Sequence, residues 1–252
     1  MPEEVDNMIK GLIFDINGTV TDILTNEGYD DIYRVMANLL DYQGITLSAD
    51  EVRRLYFEIN KRQRRCSGED FPEFDAAGVF REIIELYGTD YTFSMPKEKL
   101  QALPGFLAEA YRAASRFKLQ LYPDVLKVLS ALRGHYRMAA LSDGQSVWAI
   151  PELRSVGLLE YFDPVLISSD LGYRKPDPRM FEKTLDKMNL APSEVLFIGN
   201  DMYRDVFGAH HLGIKTVFFK SNQGEQRNMG AEPDYIICNF SRLPEAIRFL
   251  SS

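Results

Sequence analysis

Cysteine is scarce in this 252-residue chain. Cys66 and Cys238 are the only two, far apart and outside any paired Cys or Cys/His spacing, which excludes a disulfide framework and a cysteine-based zinc site. Both are expected to serve packing in a reducing compartment. Long apolar runs are missing as well, and without a run of about eighteen apolar residues no membrane-spanning helix is expected. The first residues, Met1-Pro2-Glu3-Glu4, are acidic and lack the apolar centre of a signal peptide, so a cytoplasmic protein is expected. Positive charge is in deficit: 29 Lys and Arg stand against 37 Asp and Glu, a formal net charge of −8. Phosphate backbones are held by clustered Lys and Arg, so nucleic acid is not an expected partner. The one basic run, Lys61-Arg62-Gln63-Arg64-Arg65, reads as a solvated helix end set favourably against the C-terminal dipole. The alternative is that one of its arginines reaches an anionic substrate.

A composition with 45% hydrophobic residues is ordinary for a packed globular protein, and the length suits one large domain or two modest ones. The stretch that organises the chain is Gly11-Leu12-Ile13-Phe14, which breaks into Asp15-Ile16-Asn17-Gly18-Thr19-Val20. An apolar segment ending abruptly in Asp, Gly and Thr reads as a buried strand whose C-terminal end opens into a turn.

From about Asp22 to about Arg116 little reads as strand. Apolar residues recur at helical spacing: Ile32, Val35, Met36, Leu39 and Leu40, then Val52, Leu55, Tyr56 and Ile59, then Val79, Ile83, Ile84 and Leu86. Ser48-Ala49-Asp50-Glu51 has the form of a capping box. Breakers at Gly44, at Ser67 to Pro72 and at Gly88 separate about four helices. From Tyr122 onward strands and helices alternate. Helices are expected from Pro123 to Leu132, after Gly144 to about Val156, from Pro178 to Met188, from Arg204 to Leu212 and from Leu243 to Leu250. Strands are expected at Arg137 to Leu141, Pro164 to Ile167, Val195 to Ile198, Thr216 to Phe219 and Tyr235 to Ile237. The expected fold class is therefore α/β, a Rossmann-like doubly wound parallel sheet, with residues 1–21 and 117–252 as the core and 22–116 as an inserted helical cap. In such a sheet Asp15, Ser142 and Asp201, each at a strand end, converge on one edge.

Four segments in order resemble the haloacid dehalogenase-like hydrolase superfamily. They are Phe14-Asp15-Ile16-Asn17-Gly18-Thr19-Val20, then Leu141-Ser142-Asp143-Gly144, then Tyr173-Arg174-Lys175-Pro176-Asp177-Pro178, and finally Gly199-Asn200-Asp201 with Asp205 and Gly208-Ala209. The resemblance implies that Asp15 attacks phosphorus and forms an aspartyl-phosphate. It implies Mg²⁺ as cofactor, held by Asp15, the backbone carbonyl of Asn17 and Asp201, with Asp205 orienting a bound water or holding Lys175. Ser142 and the backbone N–H groups after it form an anion site at a helix start, or else Ser142 is a plain N-cap. Lys175 is expected to neutralise the carboxylates and the transferring phosphoryl.

The chain also departs from the pattern. Phosphatases of this superfamily usually carry, two residues after the nucleophile, an Asp that exchanges protons with the leaving oxygen and with water. Here that residue is Asn17, an amide that donates hydrogen bonds but exchanges no proton at neutral pH. Asp143 stands where an Asn often follows the second-motif Ser. Asn200 precedes Asp201 where many relatives place an acid, and charge favours Asp201 as the metal's side chain.

The expected function is a Mg²⁺-dependent phosphatase of a small phosphorylated metabolite, acting as a monomer or homodimer, with Tyr29, Arg34, Arg64 and Phe71 as candidates for choosing the substrate. Two readings stay beside it: a 2-haloacid dehalogenase-type hydrolase, whose halide leaving group needs no proton, and a catalytically weakened phospholigand-binding protein.

Overall fold

The computed structural model describes residues 8–251; residues 1–7 and 252 of the expected core lie outside it. A six-stranded, all-parallel sheet runs through the molecule. Strand β1 (Gly11–Phe14) has every residue buried, as an apolar run without alternation requires when helices cover both faces of a sheet. The antiparallel pair β2 (Thr21–Thr25) and β3 (Arg116–Leu121) lies outside this sheet. The remaining strands are β4 (Arg137–Ser142), β5 (Val165–Ile167), β6 (Val195–Gly199), β7 (Lys215–Phe219) and β8 (Tyr235–Ile237), giving the order β5-β4-β1-β6-β7-β8.

The central position of β1 sets the geometry of everything that follows. Phe14 pairs with Ala140 of β4 and with Ile198 of β6, and Asp15 donates its backbone N–H to Ile198 O at 2.9 Å. The chain leaves β1 for β4 on one side and reaches β6 on the other, so Asp15 sits at the point where strand order reverses. Ligands of open α/β sheets bind in that crevice. Two apolar clusters, one around Phe14, Ile198 and Phe240 and one around Ile13, Phe181 and Phe197, form the core of the sheet layer.

Between β2 and β3 lie α1 (Asp30–Asp41), α2 (Ala49–Cys66), α3 (Ala76–Tyr87), the single turn α4 (Asp90–Phe93) and α5 (Lys97–Ser115). Five helices thus replace the expected four. The capping box at Ser48 is present, with Glu51 donating its N–H to Ser48 Oγ and accepting the Ser48 N–H in return. This insertion has its own apolar cluster, built on Tyr33, Tyr56, Phe80 and Tyr111.

Several boundaries differ from expectation for physical reasons. The β2–β3 ribbon has no local signal because its partners are nearly a hundred residues apart and no turn joins them: Asp22 pairs with Gln120 and Ile23 with Leu119. Helix α6 (Val125–Leu132) starts two residues after Pro123, because Asp124 adopts a left-handed backbone at φ 66°. Between Asp201 and Leu212 a wider π-helical turn, Met202–Phe207, precedes the short α9 (Gly208–His210). The helices α7 (Ser146–Ser155), α8 (Pro178–Met188) and α10 (Leu243–Leu250) complete the layers. Val35 and Leu86 fall on the exposed sides of α1 and α3, and Cys66 and Cys238 are exposed rather than packed.

Candidate active site

Lys175 is the hub. Its side chain is 2% exposed, and its Nζ donates to Asp15 Oδ1 at 2.7 Å, to Asp205 Oδ1 at 2.7 Å and to the carbonyl of Leu141 at 3.1 Å. Three chain segments, the ends of β1 and β4 and the turn after β6, therefore meet on one ammonium group. Burial works against that charge, but Asp15, Asp205 and Asp143 outweigh it and hold the lysine above its ordinary range. The same burial pushes Asp205 up, against the lowering charge of Lys175 and with the raising charge of Asp15.

Asp205 is held as rigidly as the lysine. Its Oδ2 accepts the N–H groups of Asn200 and Asp201, both at 3.0 Å. A Cβ on Gly199 would lie 2.4 Å from that oxygen, so only glycine lets the carboxylate tuck beneath the end of β6. On the other side Asp15 Oδ2 accepts the Thr19 hydroxyl at 2.9 Å, and the same hydroxyl reaches Asn200 Oδ1 at 3.1 Å. Gly18, at φ 92°, brings its backbone so close that a Cβ would stand 2.3 Å from Asn200 Nδ2. Thr19 thus ties the first motif to the fourth, a role that its place in the sequence did not announce.

Asp201 does not occupy the place that its charge suggested. Its Oδ1 accepts the N–H groups of Tyr203 and Arg204 at 3.0 and 2.8 Å, while Oδ2 takes Arg204 Nε at 2.9 Å, Arg204 Nη2 at 2.7 Å and the Glu225 N–H at 3.1 Å. Burial would raise this carboxyl, but the Arg204 bonds and charge and the backbone donors bring it below its usual range. It caps the π-helical turn and pairs with Arg204, whereas Asn200 is the fourth-motif side chain beside Asp15.

The second-motif loop is also arranged differently. The N-cap of α7 is Gln145, not Ser142. The Gly144 N–H, expected among the anion-binding donors, is given to Ser168 Oγ at 2.8 Å. Asp143 Oδ1 accepts the Lys175 backbone N–H at 2.9 Å, which fixes the third-motif loop to the second.

The helical insertion is fastened to these loops. Gln145 Nε2 donates to Phe74 O and its Oε1 accepts the Ala76 N–H, both at 2.8 Å. Glu73 N–H donates to Gly172 O and Arg174 N–H to Phe71 O, both at 2.9 Å. Buried Glu73 also accepts Ser168 Oγ at 2.8 Å, and Trp148 of α7 packs in the insertion's cluster, with its Nε1 on Ala108 O at 2.8 Å. Gln145, Ser168 and Glu73 had no local sequence signal, since their function is to join distant segments. Of the residues named for substrate choice, Tyr29 is exposed and packs on Phe117, Arg34 pairs with Asp31, and Phe71 gives its carbonyl to Arg174. Arg64 stacks on Phe74 with Nη2 3.4 Å from Glu73 Oε1.

The donors fit a hard cation such as Mg²⁺, but with little charge. Asp15 Oδ2 and Asn200 Oδ1 converge on one hydroxyl, and oxygen donors of this kind are what such an ion takes. Among the described residues no group of three or more His, Cys, Asp or Glu side chains is placed to hold a metal, because Asn stands at 17 and 200 and Asp201 faces Arg204. Among those residues, too, no helix is long and apolar enough to cross a membrane.

The comparisons with known proteins agree with this geometry. The chain is 26% identical over 250 residues to a glyceraldehyde 3-phosphate phosphatase of Methanopyrus kandleri, covering 97% of this chain and 99% of that protein. It is 29% identical over 243 residues to (S)-2-haloacid dehalogenase 1 of a Pseudomonas species, covering 95% and 96%. The crystal structure of a 2-haloacid dehalogenase from Pseudomonas syringae pv. Tomato superposes with a TM-score of 0.69 at 21% identity, covering 96% of this chain and 99% of that one, a likeness of fold. The family model for haloacid dehalogenase-like hydrolases matches residues 9–213, and with that match over the very strands and loops that carry Asp15, Ser142, Lys175 and Asp205, the chain belongs to that family of hydrolases.

Proposed function

We propose that this hydrolase is a phosphatase of small phosphorylated metabolites, working beneath residues 22–116 as a cap and through an aspartyl-phosphate on Asp15. The observation that carries the reading is the shared ammonium of Lys175, 2.7 Å from both Asp15 and Asp205. It sets a cation directly against the buried Asp15 and offers positive charge where a transferring phosphoryl group builds up negative charge. Ser142, 1% exposed at the end of β4, supplies a hydroxyl donor to the same group. Relatives named glyceraldehyde 3-phosphate phosphatase and phosphoserine phosphatase support the substrate class.

Mg²⁺, held by Asp15, the Asn17 carbonyl and Asn200, would neutralise phosphoryl oxygens during transfer. Asp205 positions Lys175 and the two backbone N–H groups before the π-helical turn. Asn17 accepts the Thr21 hydroxyl through Oδ1 at 3.1 Å and has no proton to give. General acid–base help is worth about 10²–10⁴ in rate, so an alkyl phosphate needs its proton from a group other than Asn17.

The test is phosphate release from a panel of phosphorylated metabolites, with Mg²⁺ and with chelator, by the unaltered chain and by Asp15→Asn. Release that needs the cation and vanishes in Asp15→Asn is expected, and Asn200→Asp is expected to bind Mg²⁺ roughly tenfold more tightly by calorimetry, a gain of about 1.4 kcal/mol. No release from any compound with Mg²⁺ present would sink the proposal. The amides at 17 and 200 favour the dehalogenase reading as a second possibility; chloride release from a 2-haloacid that persists in chelator is its signature.

A further inference from the structure

An alkyl phosphate loses its alkoxide slowly at neutral pH unless a proton arrives as the P–O bond breaks, and Asn17 has no acidic proton to supply. The remaining acids around Lys175 differ sharply in what their oxygens do. Asp205 gives one oxygen to Lys175 and the other to two backbone N–H groups. Asp201 gives both to Arg204 and backbone donors. Each of these is solvated as a carboxylate.

Asp143 is not. Its side chain is 7% exposed; Oδ1 accepts the Lys175 N–H, but Oδ2 is buried without a hydrogen-bond partner, with Arg204 Nη1 at 3.7 Å. A buried carboxylate oxygen with no donor is costly, whereas a protonated one is a donor in need of an acceptor. The charged groups facing it are Lys175, Arg204 and Arg174, with Asp15 and Asp205 beyond the lysine. Burial pushes Asp143 up despite those three cations. Two departures of the chain then become one: the carboxyl missing at position 17 is matched by one gained at position 143, beside Ser142 and one residue contact from the lysine that grips the nucleophile.

We propose that Asp143 is the proton-transfer residue of this enzyme, doing from the second-motif loop what Asn17 cannot do from the first. The assignment rests on the phosphatase reading. Asp15 attacks phosphorus and the bond to the leaving oxygen breaks. That oxygen takes the Asp143 proton and departs as the alcohol, leaving aspartyl-phosphate and the Asp143 carboxylate. The carboxylate then takes a proton from water as the water oxygen attacks phosphorus. The bond to Asp15 breaks, orthophosphate leaves, and both side chains return to their starting states.

Asp143→Asn keeps the acceptor for the Lys175 N–H and removes only the proton. Turnover of an unactivated alkyl phosphate is expected to fall by about 10²–10⁴, and that of acetyl phosphate or p-nitrophenyl phosphate by less than about tenfold. The unaltered enzyme should lose alkyl phosphatase activity as pH rises through the Asp143 ionisation, a limb absent from the variant. The double variant N17D/D143N should regain alkyl phosphatase activity, which also shows that the loss is not misfolding. Equal losses on activated and unactivated substrates, or none, would overturn the assignment while leaving the phosphatase reading intact. No turnover of acetyl phosphate, p-nitrophenyl phosphate or any alkyl phosphate by the unaltered chain would overturn both.

Discussion

Lys175 shows how a single residue sets the state of its neighbours. Two buried carboxylates share its ammonium, and removing it leaves both without their counter-charge. Breaking a buried pair from one side typically costs about 3–5 kcal/mol. Lys175→Met is therefore expected to lower unfolding free energy in urea by about that amount and to abolish turnover. A loss under about 1 kcal/mol would show that the shared ammonium contributes little to folding. Asp201 teaches the complementary lesson: formal charge alone does not place a side chain at a cation, because a carboxylate that can cap a helical turn and chelate an arginine finds four donors within its own loop and a fifth on Glu225.

At the level of elements, α7 joins the two halves of the molecule. It follows β4 in the sheet layer, yet Trp148 lies in the insertion's cluster, its ring 6.3 Å from that of Tyr111 and its N–H on α5. Gln145, at its N-cap, clamps the start of α3. Trp148→Ala is expected to cost about 3–5 kcal/mol in thermal or urea unfolding and to lower kcat/KM, because the loop carrying Ser142 and Asp143 leads directly into this helix. Ser48→Ala, which opens the capping box of α2 far from that loop, should cost only about 1 kcal/mol and leave kcat/KM unchanged. Equal effects of the two substitutions on kcat/KM would show that the docking of α7 does not reach the site.

For the whole molecule, the buried acids predict an unusual pH profile of stability. Burial raises Glu73, opposed by Ser168, the Phe74 N–H, Arg174 and Arg64, and it raises Asp143 and Asp205 likewise. A raised carboxyl binds its proton more tightly in the folded chain, so stability is lost as pH climbs from the ordinary carboxylate value of about 4 to the folded one. Asp201 and Asp177 are shifted down, so their contribution is full above about pH 4 and is lost below it as pH falls through the folded value. Stability without divalent cations should therefore peak near pH 4–5 and decline toward pH 7. Urea midpoints across pH 3–8 measure this, and Glu73→Gln should flatten the neutral side; a midpoint that rises steadily to pH 7 would contradict it.

The sequence by itself determined the parallel sheet, since uniformly apolar strands such as Gly11–Phe14 and Val195–Ile198 alternate with amphipathic helices and have no other way to bury both faces. Four ordered segments, through their resemblance to a known family, also singled out Asp15, Ser142, Lys175 and Asp205 as candidates. Only the tertiary structure decided which side chains of the fourth motif and the second loop stand beside Asp15 and Lys175. Asn200 rather than Asp201, the long-range β2–β3 pairing, and the Glu73–Ser168–Gly144 chain all depend on groups far apart in sequence competing for the same donors. Local pattern holds no record of that competition, which is resolved only when the segments are packed together.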